Sequence, residues 1–215
     1  MCWETEIGKG RPAWNIQDAA IVTKHFSFTI DVACGGIDNL VRHHDYTIAV
    51  AEGVSGRKFA RYWLHGAHLF VDGKKMSKSK GNVYYPEDLL AKGFRKDHAR
   101  FFLIYGDYRA RLNFTWEKLA ETSRKLDEFK SMVQEVEKAD SARPSENTQK
   151  LITRIVSDFE AHTDEDLDVK AAFDTLYAAV AALHDLTKKG KLSPEASQAA
   201  LKGLRRVDRV LQVIF

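Results

Sequence analysis

The sequence predicts an α/β region followed by an all-α region. Three observations predict this order: a strand-like stretch that leads through a glycine pair into a helical pattern, a tight-turn motif followed by a lysine-rich loop, and long helical patterns from residue 86 onward. Strand, glycine turn and helix in succession are typical of a Rossmann-like nucleotide-binding fold. We expect the α/β region to occupy residues 1–95 and a helical bundle to occupy residues 96–215.

The first predicted strand covers residues 27–33, where apolar and polar residues alternate with the period of two that a strand requires. We expect this strand to stop at Gly35 and Gly36. The next stretch, 39–53, predicts a helix, because five of its residues fall on one side at a spacing of about 3.6. These residues are Leu40, His44, Thr47, Ile48 and Ala51.

A β-hairpin is predicted over residues 67–76, since Asp72 and Gly73 suit the positive φ angles of a two-residue turn. The loop that follows carries Lys75 and Lys78 among small hydroxyl residues, and then Gly81. Two lysines alone at this spacing are usually a solvated surface turn, because runs of charge usually lie on solvated faces. The functional alternative is a mobile loop that closes on phosphate.

The second half of the chain predicts long amphipathic helices. The segment 116–136 has one apolar face and ends near a polar connector, 138–149, that contains Pro144. Two later stretches share a coiled-coil-like period and are expected to pack antiparallel on each other, with Gly190 ending the first and Ser193-Pro194 starting the second. The apolar positions of the three helices are Leu119, Leu126, Phe129, Val133 and Val136; Val169, Phe173, Leu176, Val180 and Leu183; and Ala200, Leu204, Val207, Leu211 and Ile214.

Composition excludes several classes of protein. The chain has 215 residues, 44% of them apolar, and a net charge of +3, which is compatible with an RNA partner but predicts none. Cys2 and Cys34 lie far apart, so neither a disulfide framework nor a cysteine zinc cage is indicated. No signal peptide and no run of about 18 apolar residues is present, so we expect a cytoplasmic protein without a membrane partner.

Five stretches carry a resemblance to a known family: "GKGRPAW", "DVACGGIDNLVRHHDYTIA", "ARYWLHGAHLFVDGKKMSKSKGN", "DHARFFLIYGDYRARLNFTWEKL" and "DEDLDVKAAFDTLYAAVAALHDL". In this order they resemble the second catalytic half and the following helices of the cysteinyl-tRNA synthetases, which are class I aminoacyl-tRNA synthetases. The resemblance covers nearly the whole chain. It implies the C-terminal half of a Rossmann-like catalytic fold with a KMSKS loop, followed by an antiparallel helical bundle.

The resemblance also implies a site for ATP with Mg²⁺. Lys75 and Lys78 would be catalytic, because they would neutralise the triphosphate while an amino acid carboxylate attacks the α-phosphorus. The residues that would hold ATP are Gly35, Gly36 and Asp38 at the adenosine, Met76 near the base, and Lys75 and Lys78 at the phosphates. Glycines after a strand do let backbone come close to a ligand, but a plain strand-ending turn is an equally good interpretation of the residues alone.

The zinc site that the family uses to select cysteine is depleted in this sequence. The family holds zinc with two cysteines, a histidine and a glutamate; one cysteine belongs to the half that precedes this chain's match, the second position is Asp18, and the glutamate position is Thr47. Only His43 remains, and zinc needs about four ligands. We therefore predict no zinc, and no other metal held by the protein itself.

Other positions of the family's active site also differ here. Asn15 and Ala33 stand where the family has histidines, and the His-x-Gly-His motif of its first half does not occur in the sequence. Trp14 is retained, either in the family's cysteine pocket or as a core residue. Adjacent residues of a helix point about 100° apart, so His43 and His44 are not expected to share a ligand; we expect one to be buried and one exposed.

Five arginines of the helical region could contact tRNA phosphates, because the family lays this region along the tRNA. They are Arg109, Arg111, Arg205, Arg206 and Arg209. Surface arginines on a bundle are the favoured interpretation.

Three hypotheses follow. The first is a truncated paralogue that binds ATP or an adenylate but does not aminoacylate alone. The second is one subunit of a split ligase, completed by a protein partner or a second copy. The third is a tRNA- or protein-binding module in which the lysine loop is idle. If a missing half normally covers the sheet, the chain should expose an unusually large apolar patch.

Overall fold

The computed structural model describes residues 2–6, 8–141 and 148–215. The chain forms two compact units, Met1–His68 and Leu69–Phe215. The predicted division at residue 95 was placed between the family's catalytic fold and the helices that follow it. It is not the same kind of boundary as the division into compact units, and it stays a prediction. None of the described helices is both long and apolar enough to cross a membrane.

The first unit contains a short hairpin and a βαβ arrangement. Strands β1 (Trp3–Thr5) and β2 (Gly8–Gly10) pair antiparallel. Helix α1 (Trp14–His25) follows, and β3 (Ile30–Gly36) pairs parallel with β4 (Ala60–Gly66). A π-helical turn (Leu40–His44) and helix α2 (Asp45–Ser55) connect these two strands. The buried core of the unit is small and consists of Ala19, Ala51, Phe59 and Ala60.

The predicted first strand exists, but its bounds were wrong. Pairing with β4 carries the ladder to the end of the glycine pair, so that Gly35 lies opposite His65 and Gly36 opposite Gly66. Strand β4 was not predicted at all. Local alternation could not reveal either feature, because both depend on pairing between segments distant in sequence.

The predicted helix after the glycines is present, with one correction at its start. Thr47 and Ala51 are buried as expected. Leu40 is 40% exposed, because the first turn is π-helical and its wider spacing moves this residue off the buried face.

The second unit begins with the predicted hairpin, which is confirmed. Strands β5 (Phe70–Val71) and β6 (Lys74–Lys75) pair antiparallel around Asp72 and Gly73, whose φ angles are 49° and 73°. Strand β7 (Asn113–Phe114) pairs parallel with β5. Helices α3 (Pro86–Ala91) and α4 (Lys96–Ile104) precede β7 in the chain. Val71, Phe102, Phe114 and Leu119 form a buried cluster beside this sheet.

Four long helices form the bundle: α5 (Trp116–Glu137), α6 (Thr148–Asp164), α7 (Val169–Lys188) and α8 (Pro194–Leu211). The predicted apolar faces of α5 and α7 are buried almost completely, and so are Ala200, Leu204, Val207 and Leu211 of α8, which confirms the periodicity. Ile214 is buried too, but α8 ends at Leu211, so the predicted helical period does not extend to it. The predicted connector around Pro144 falls largely on residues 142–147, which lie outside the described residues.

The predicted packing of α7 on α8 was wrong. Within the described chain, α5 and α6 each pack against both α7 and α8, and α7 and α8 are not each other's main neighbours. Equal seam spacing on the two helices reflects a shared central core rather than direct pairing. The predicted caps are confirmed: Gly190 has a φ of 60° while the Lys191 N–H donates to the Leu186 carbonyl, and the Ser193 hydroxyl accepts from the Ala196 N–H.

Candidate functional site

The lysine loop is braced by one side chain, Asn82. The Ser77 N–H donates to Asn82 Oδ1 at 2.9 Å, and Asn82 Nδ2 donates to the Lys75 carbonyl at 3.3 Å. A single amide therefore connects the end of β6 to the far side of the loop. Sequence reasoning did not assign this role to Asn82, because its partners lie five and seven residues earlier in the chain, beyond the short range of the usual asparagine turn.

Within the braced loop, residues Lys78–Lys80 form a single 3-10 turn that ends at Gly81, whose φ is 64°. The side chains of Lys75 and Lys78 are exposed to solvent. Met76 is half-buried and packs against the cluster around Val71 and Phe102. The contacts of these side chains with phosphate and with a base stay predictions.

Neighbouring side chains of the protein itself approach the glycine pair closely. A Cβ added at Gly35 would lie 2.5 Å from His44 Cε1, and one added at Gly36 would lie 2.8 Å from Asp38 Oδ1. Both distances are too short for real atoms. The Asp38 carboxylate also lies 3.5 Å from His68 Nε2. An imidazole and a carboxylate thus approach this backbone closely, and the predicted approach of adenosine stays a prediction.

An aromatic cluster surrounds His44 in the first unit. His44 Nδ1 lies 2.7 Å from His65 Nε2, and the His65 ring stacks on Trp63 at 6.0 Å with an interplanar angle of 6°. Burial lowers the pKa of His44, the imidazoles of His65 and His43 lower it further, and Asp18 and Asp45 partly oppose this. These surroundings therefore favour the neutral form of the His44 imidazole. The sequence could have indicated this cluster, because Trp63 and His65 are two residues apart and therefore lie on one face of a strand. That inference depends on β4, which was not predicted.

His43 points away from this cluster, toward α1. Its Nδ1 lies 3.1 Å from Asn15 Oδ1, and its ring centroid lies 5.6 Å from that of Trp14. The expectation of one buried and one exposed histidine was wrong: His43 and His44 are both half-buried, because each packs against a different element. Trp14 is 69% exposed and is not a core residue.

The residues at the family's zinc positions do not fit a zinc cage. The Thr47 hydroxyl is buried and donates to the His43 carbonyl at 2.9 Å, so it is used within its own helix. One nitrogen of His43 is occupied by Asn15, and Asp18 is an exposed residue of α1. Among the described residues, no group of three or more His, Cys, Asp or Glu side chains is placed to hold a metal ion. The absence of zinc stays a prediction.

The predicted nucleotide residues divide between the two units. Gly35, Gly36 and Asp38 belong to the first unit, and Lys75, Met76 and Lys78 belong to the second. Their joint use by one ATP molecule stays a prediction.

Most of the candidate tRNA-binding arginines are engaged within the protein. Arg109 makes a two-point ion pair with Asp166, at 2.5 and 3.1 Å, and Arg206 pairs with Glu160. The Arg111 guanidinium lies 5.2 Å from the ring centre of Phe70, and that of Arg205 lies 4.7 Å from the ring centre of Phe215. These contacts favour the interpretation of structural surface arginines.

Exposed apolar side chains are concentrated in the first unit. Phe26, Val32, Val41, Val54 and Tyr62 are each between 50% and 79% exposed. Val32 and Tyr62 are register partners on β3 and β4, so they lie on one face of the sheet. That sheet has two strands in the part of the chain that the structure describes. Parallel sheets are normally covered on both faces, so this surface is unusual.

Comparison with known proteins identifies relatives along the whole chain. Residues 1–125 match the family described as tRNA synthetases class I (C) catalytic domain. A Cysteine--tRNA ligase of Chlamydia pneumoniae is 36% identical over 214 residues, which are 99% of this chain and 45% of that protein. A Cysteine--tRNA ligase of Brachyspira hyodysenteriae is 34% identical over 97% of this chain and 44% of its own length. This chain therefore spans less than half the length of these relatives.

A solved structure has a similar fold. It is a LeuRS from Agrobacterium radiobacter in a ternary complex with tRNA and LeuAMS, with a TM-score of 0.63 and 18% sequence identity. The match covers 86% of this chain and 26% of that one. The fold class predicted from the sequence, part of a class I synthetase followed by a helical bundle, is thereby confirmed.

Proposed function

The chain belongs to the class I (C) tRNA synthetase family, and on that premise we propose that it binds ATP with Mg²⁺ through the braced lysine loop. Lys75 and Lys78 contact the phosphates in this proposal. Gly35, Gly36 and Asp38 contact the adenosine, and Met76 lies near its base. The loop corresponds to the KMSKS signature of the family.

The observation that carries this proposal is the Asn82 brace. It holds the backbone at both sides of the loop, on which Lys75 and Lys78 are exposed residues. A backbone held in this way suits a site where negative charge builds up on the pyrophosphate leaving group during activation, because an ammonium group on a long lysine stem can follow that charge.

The test is calorimetric titration with ATP–Mg²⁺. The variant Lys75→Ala/Lys78→Ala should weaken binding by about tenfold or more, since each lost charged contact is worth about 1 to 3 kcal/mol. Lys74→Ala/Lys80→Ala removes the same charge from the same loop at positions outside the proposed contacts, and it should retain most of the affinity. No heat with the unmodified protein, or equal losses in both variants, would reject the proposal.

We further propose that the chain does not activate cysteine by itself. The residues at the zinc positions do not fit the metal by which the family holds the substrate thiolate, as the contacts of Thr47 and His43 indicate. The expected result in an ATP–pyrophosphate exchange assay with cysteine is exchange no faster than without enzyme. Cysteine-dependent exchange would show that the chain is an active ligase.

A second candidate function is one subunit of a split ligase, and the exposed sheet face of the first unit favours it. We propose that a second polypeptide or a second copy covers Val32 and Tyr62. A second copy would give a dimer in sedimentation velocity at micromolar concentration, and Val32→Ser/Tyr62→Ser should reduce it. Leu103→Ser/Val210→Ser changes two exposed apolar residues of the second unit and should leave the dimer intact. A monomer at all concentrations would exclude the second copy and leave the separate polypeptide.

We also propose tRNA as a partner, supported by the family relationship and by the tRNA that the similar LeuRS structure holds. Because phosphate contacts release counterions, binding of labelled tRNA should fall steeply as salt is raised from about 50 to 200 mM. Failure to bind at the lower salt would remove tRNA as a partner of this chain.

A further inference from the structure

A groove runs along the bundle surface between α6 and α8, with a volume of about 840 Å³. Its floor is aliphatic and comes from Ile152, Val156 and Gly203, with the exposed ring of Phe215 at one end. Gly203 allows the two helices to approach closely, because a Cβ at this position would lie 3.2 Å from Ile155 Cγ2. The groove lies entirely within the second unit.

One rim of the groove is strongly basic. Lys202, Arg205, Arg206 and Arg209 line it at helical spacings of three, four and seven, which places them on one side of α8. Arg206 pairs with Glu160, and Arg205 lies over Phe215. Lys202 and Arg209 form no ion pair within the described chain.

Asp208 also lines the groove, and its carboxylate accepts hydrogen bonds from the backbone. Asp208 Oδ1 accepts the N–H groups of Val213 and Ile214, both at 2.8 Å, and its Oδ2 accepts that of Phe215 at 3.3 Å. Its oxygens thus close the end of α8, and Asp208 and Glu160 are two acids against the four basic residues of the rim. The rim therefore has an excess of positive charge beside an apolar floor.

We propose that this groove binds an acidic amphipathic helix of a partner protein. Four basic residues over seven positions span about 10 Å, which corresponds to about two turns of a bound helix. An apolar stripe on that helix would fill the floor, and Asp or Glu beside the stripe would meet Lys202 and Arg209. The aliphatic floor favours a peptide over nucleic acid, since Ile152 and Val156 offer no ring on which bases could stack and the Phe215 ring at the end of the groove is already covered by the Arg205 guanidinium.

The test uses a fluorescein-labelled peptide of about five helical turns, with leucines at a spacing of three and four and glutamates on both sides of that stripe. A scrambled peptide of the same composition keeps the charge and removes the stripe. Binding is measured by fluorescence anisotropy at about 0.15 M salt, where weak surface attraction is screened. We expect the ordered peptide to bind about tenfold or more tightly than the scrambled one.

Three variants locate the binding. Lys202→Glu/Arg209→Glu should weaken the peptide by about tenfold or more, because two attractive charge pairs become repulsive. Lys118→Glu/Arg124→Glu makes the same charge change on the exposed side of α5 and should have little effect. Ala199→Glu, at an exposed position of the groove, should also weaken the peptide without unfolding α8. Circular dichroism confirms that each variant is folded.

Three results would overturn the inference. Equal binding of the ordered and scrambled peptides would show that charge alone attracts them. Equal losses in the α8 and α5 variants would place the peptide elsewhere. Tighter binding of tRNA than of the ordered peptide, lost on Lys202→Glu/Arg209→Glu, would assign the groove to RNA.

Discussion

The two units of this chain differ in how well they bury their own apolar residues. The second unit has a large core in its bundle, in which Phe101, Phe129 and Phe173 are fully buried, and a second buried cluster beside its sheet. The first unit buries chiefly Ala19, Ala51, Phe59 and Ala60, and exposes larger side chains such as Tyr62 and Phe26. Burial stabilises by about 25 cal/mol per Å² of apolar surface. The second unit therefore buries enough apolar surface to stabilise its own fold. The first unit buries much less and gains less stability from burial.

The difference in apolar burial distinguishes the kind of functional surface that each unit carries. In the second unit, side chains around the bundle are paired with one another. The braced loop and the basic groove therefore lie on the surface of a unit that is already stable. In the first unit, the glycine pair, the histidines and the sheet face are exposed or only half-buried. A surface of that kind is typical of a region that another polypeptide covers.

The largest expected effect comes from the core of the bundle. Phe173→Ala should destabilise the second unit by about 3 to 5 kcal/mol, since the ring is fully buried and packs 4.5 Å from the Phe101 ring and 5.0 Å from the Phe129 ring. Urea unfolding followed by circular dichroism measures the change. The matched substitution in the first unit, Phe26→Ala, should cost under about 0.5 kcal/mol because that ring is exposed. Similar costs at both positions would break the contrast between the units.

The next effect tests the close packing of the first unit. Gly35→Ala should destabilise it by about 1 to 3 kcal/mol, because the new Cβ must displace His44 and break its hydrogen bond with His65. The change is measured by thermal unfolding with tryptophan fluorescence, since Trp63 contacts both histidines.

Gly53→Ala is the control for this substitution. It lies within α2 with nothing within 4 Å of the added Cβ, and it should stabilise by up to about 1 kcal/mol. If Gly35→Ala stabilised the protein as Gly53→Ala does, the described position of His44 against the backbone would be wrong.

These contrasts also explain what could be predicted from the sequence. Helices α5, α7 and α8, the hairpin at Asp72 and Gly73, and the caps at Gly190 and Ser193 were all predicted, because each depends on periodicity or turn chemistry within a short segment. The pairing of β3 with β4, the joint packing of α7 and α8 on α5 and α6, and the contact of His44 with His65 were not predicted. Each of these features is a contact between segments that are distant in sequence, and the local pattern of one segment does not indicate which other segment it contacts.

The third prediction concerns pH and an ion-pair network of the second unit. Burial raises the pKa of Asp97, but hydrogen bonds from Arg95 and Lys130 outweigh it and lower the pKa from 3.8 to about 2. A carboxyl group whose pKa is lower in the folded state than in the unfolded state stabilises the folded state at pH values above the unfolded-state pKa. That stability is lost as the pH falls from about 4 through about 2.

Asp97→Asn should therefore cost about 2 kcal/mol at pH 7 and much less near pH 2, as measured by urea unfolding at both pH values. Asp185→Asn changes an exposed aspartate that forms no ion pair within the described chain, and its effect should not vary with pH in this way. A cost for Asp97→Asn that stayed constant between pH 7 and pH 2 would mean that the ion pairs with Arg95 and Lys130 contribute nothing.

The smallest effect compares the starts of two helices, one in each unit. Helix α8 starts at Ser193, whose hydroxyl accepts from the Ala196 N–H, whereas α1 starts at Ala13 without any side-chain cap. Ser193→Ala should cost about 1 kcal/mol, and Ala13→Ser should stabilise by about 0.5 to 1 kcal/mol, because a serine there can accept from a free N–H of the first turn. Thermal melts of the two single variants measure both changes. A gain at Ala13 would show that the first unit is weak partly in its local sequence, whereas no gain would leave its uncovered apolar surface as the main cause.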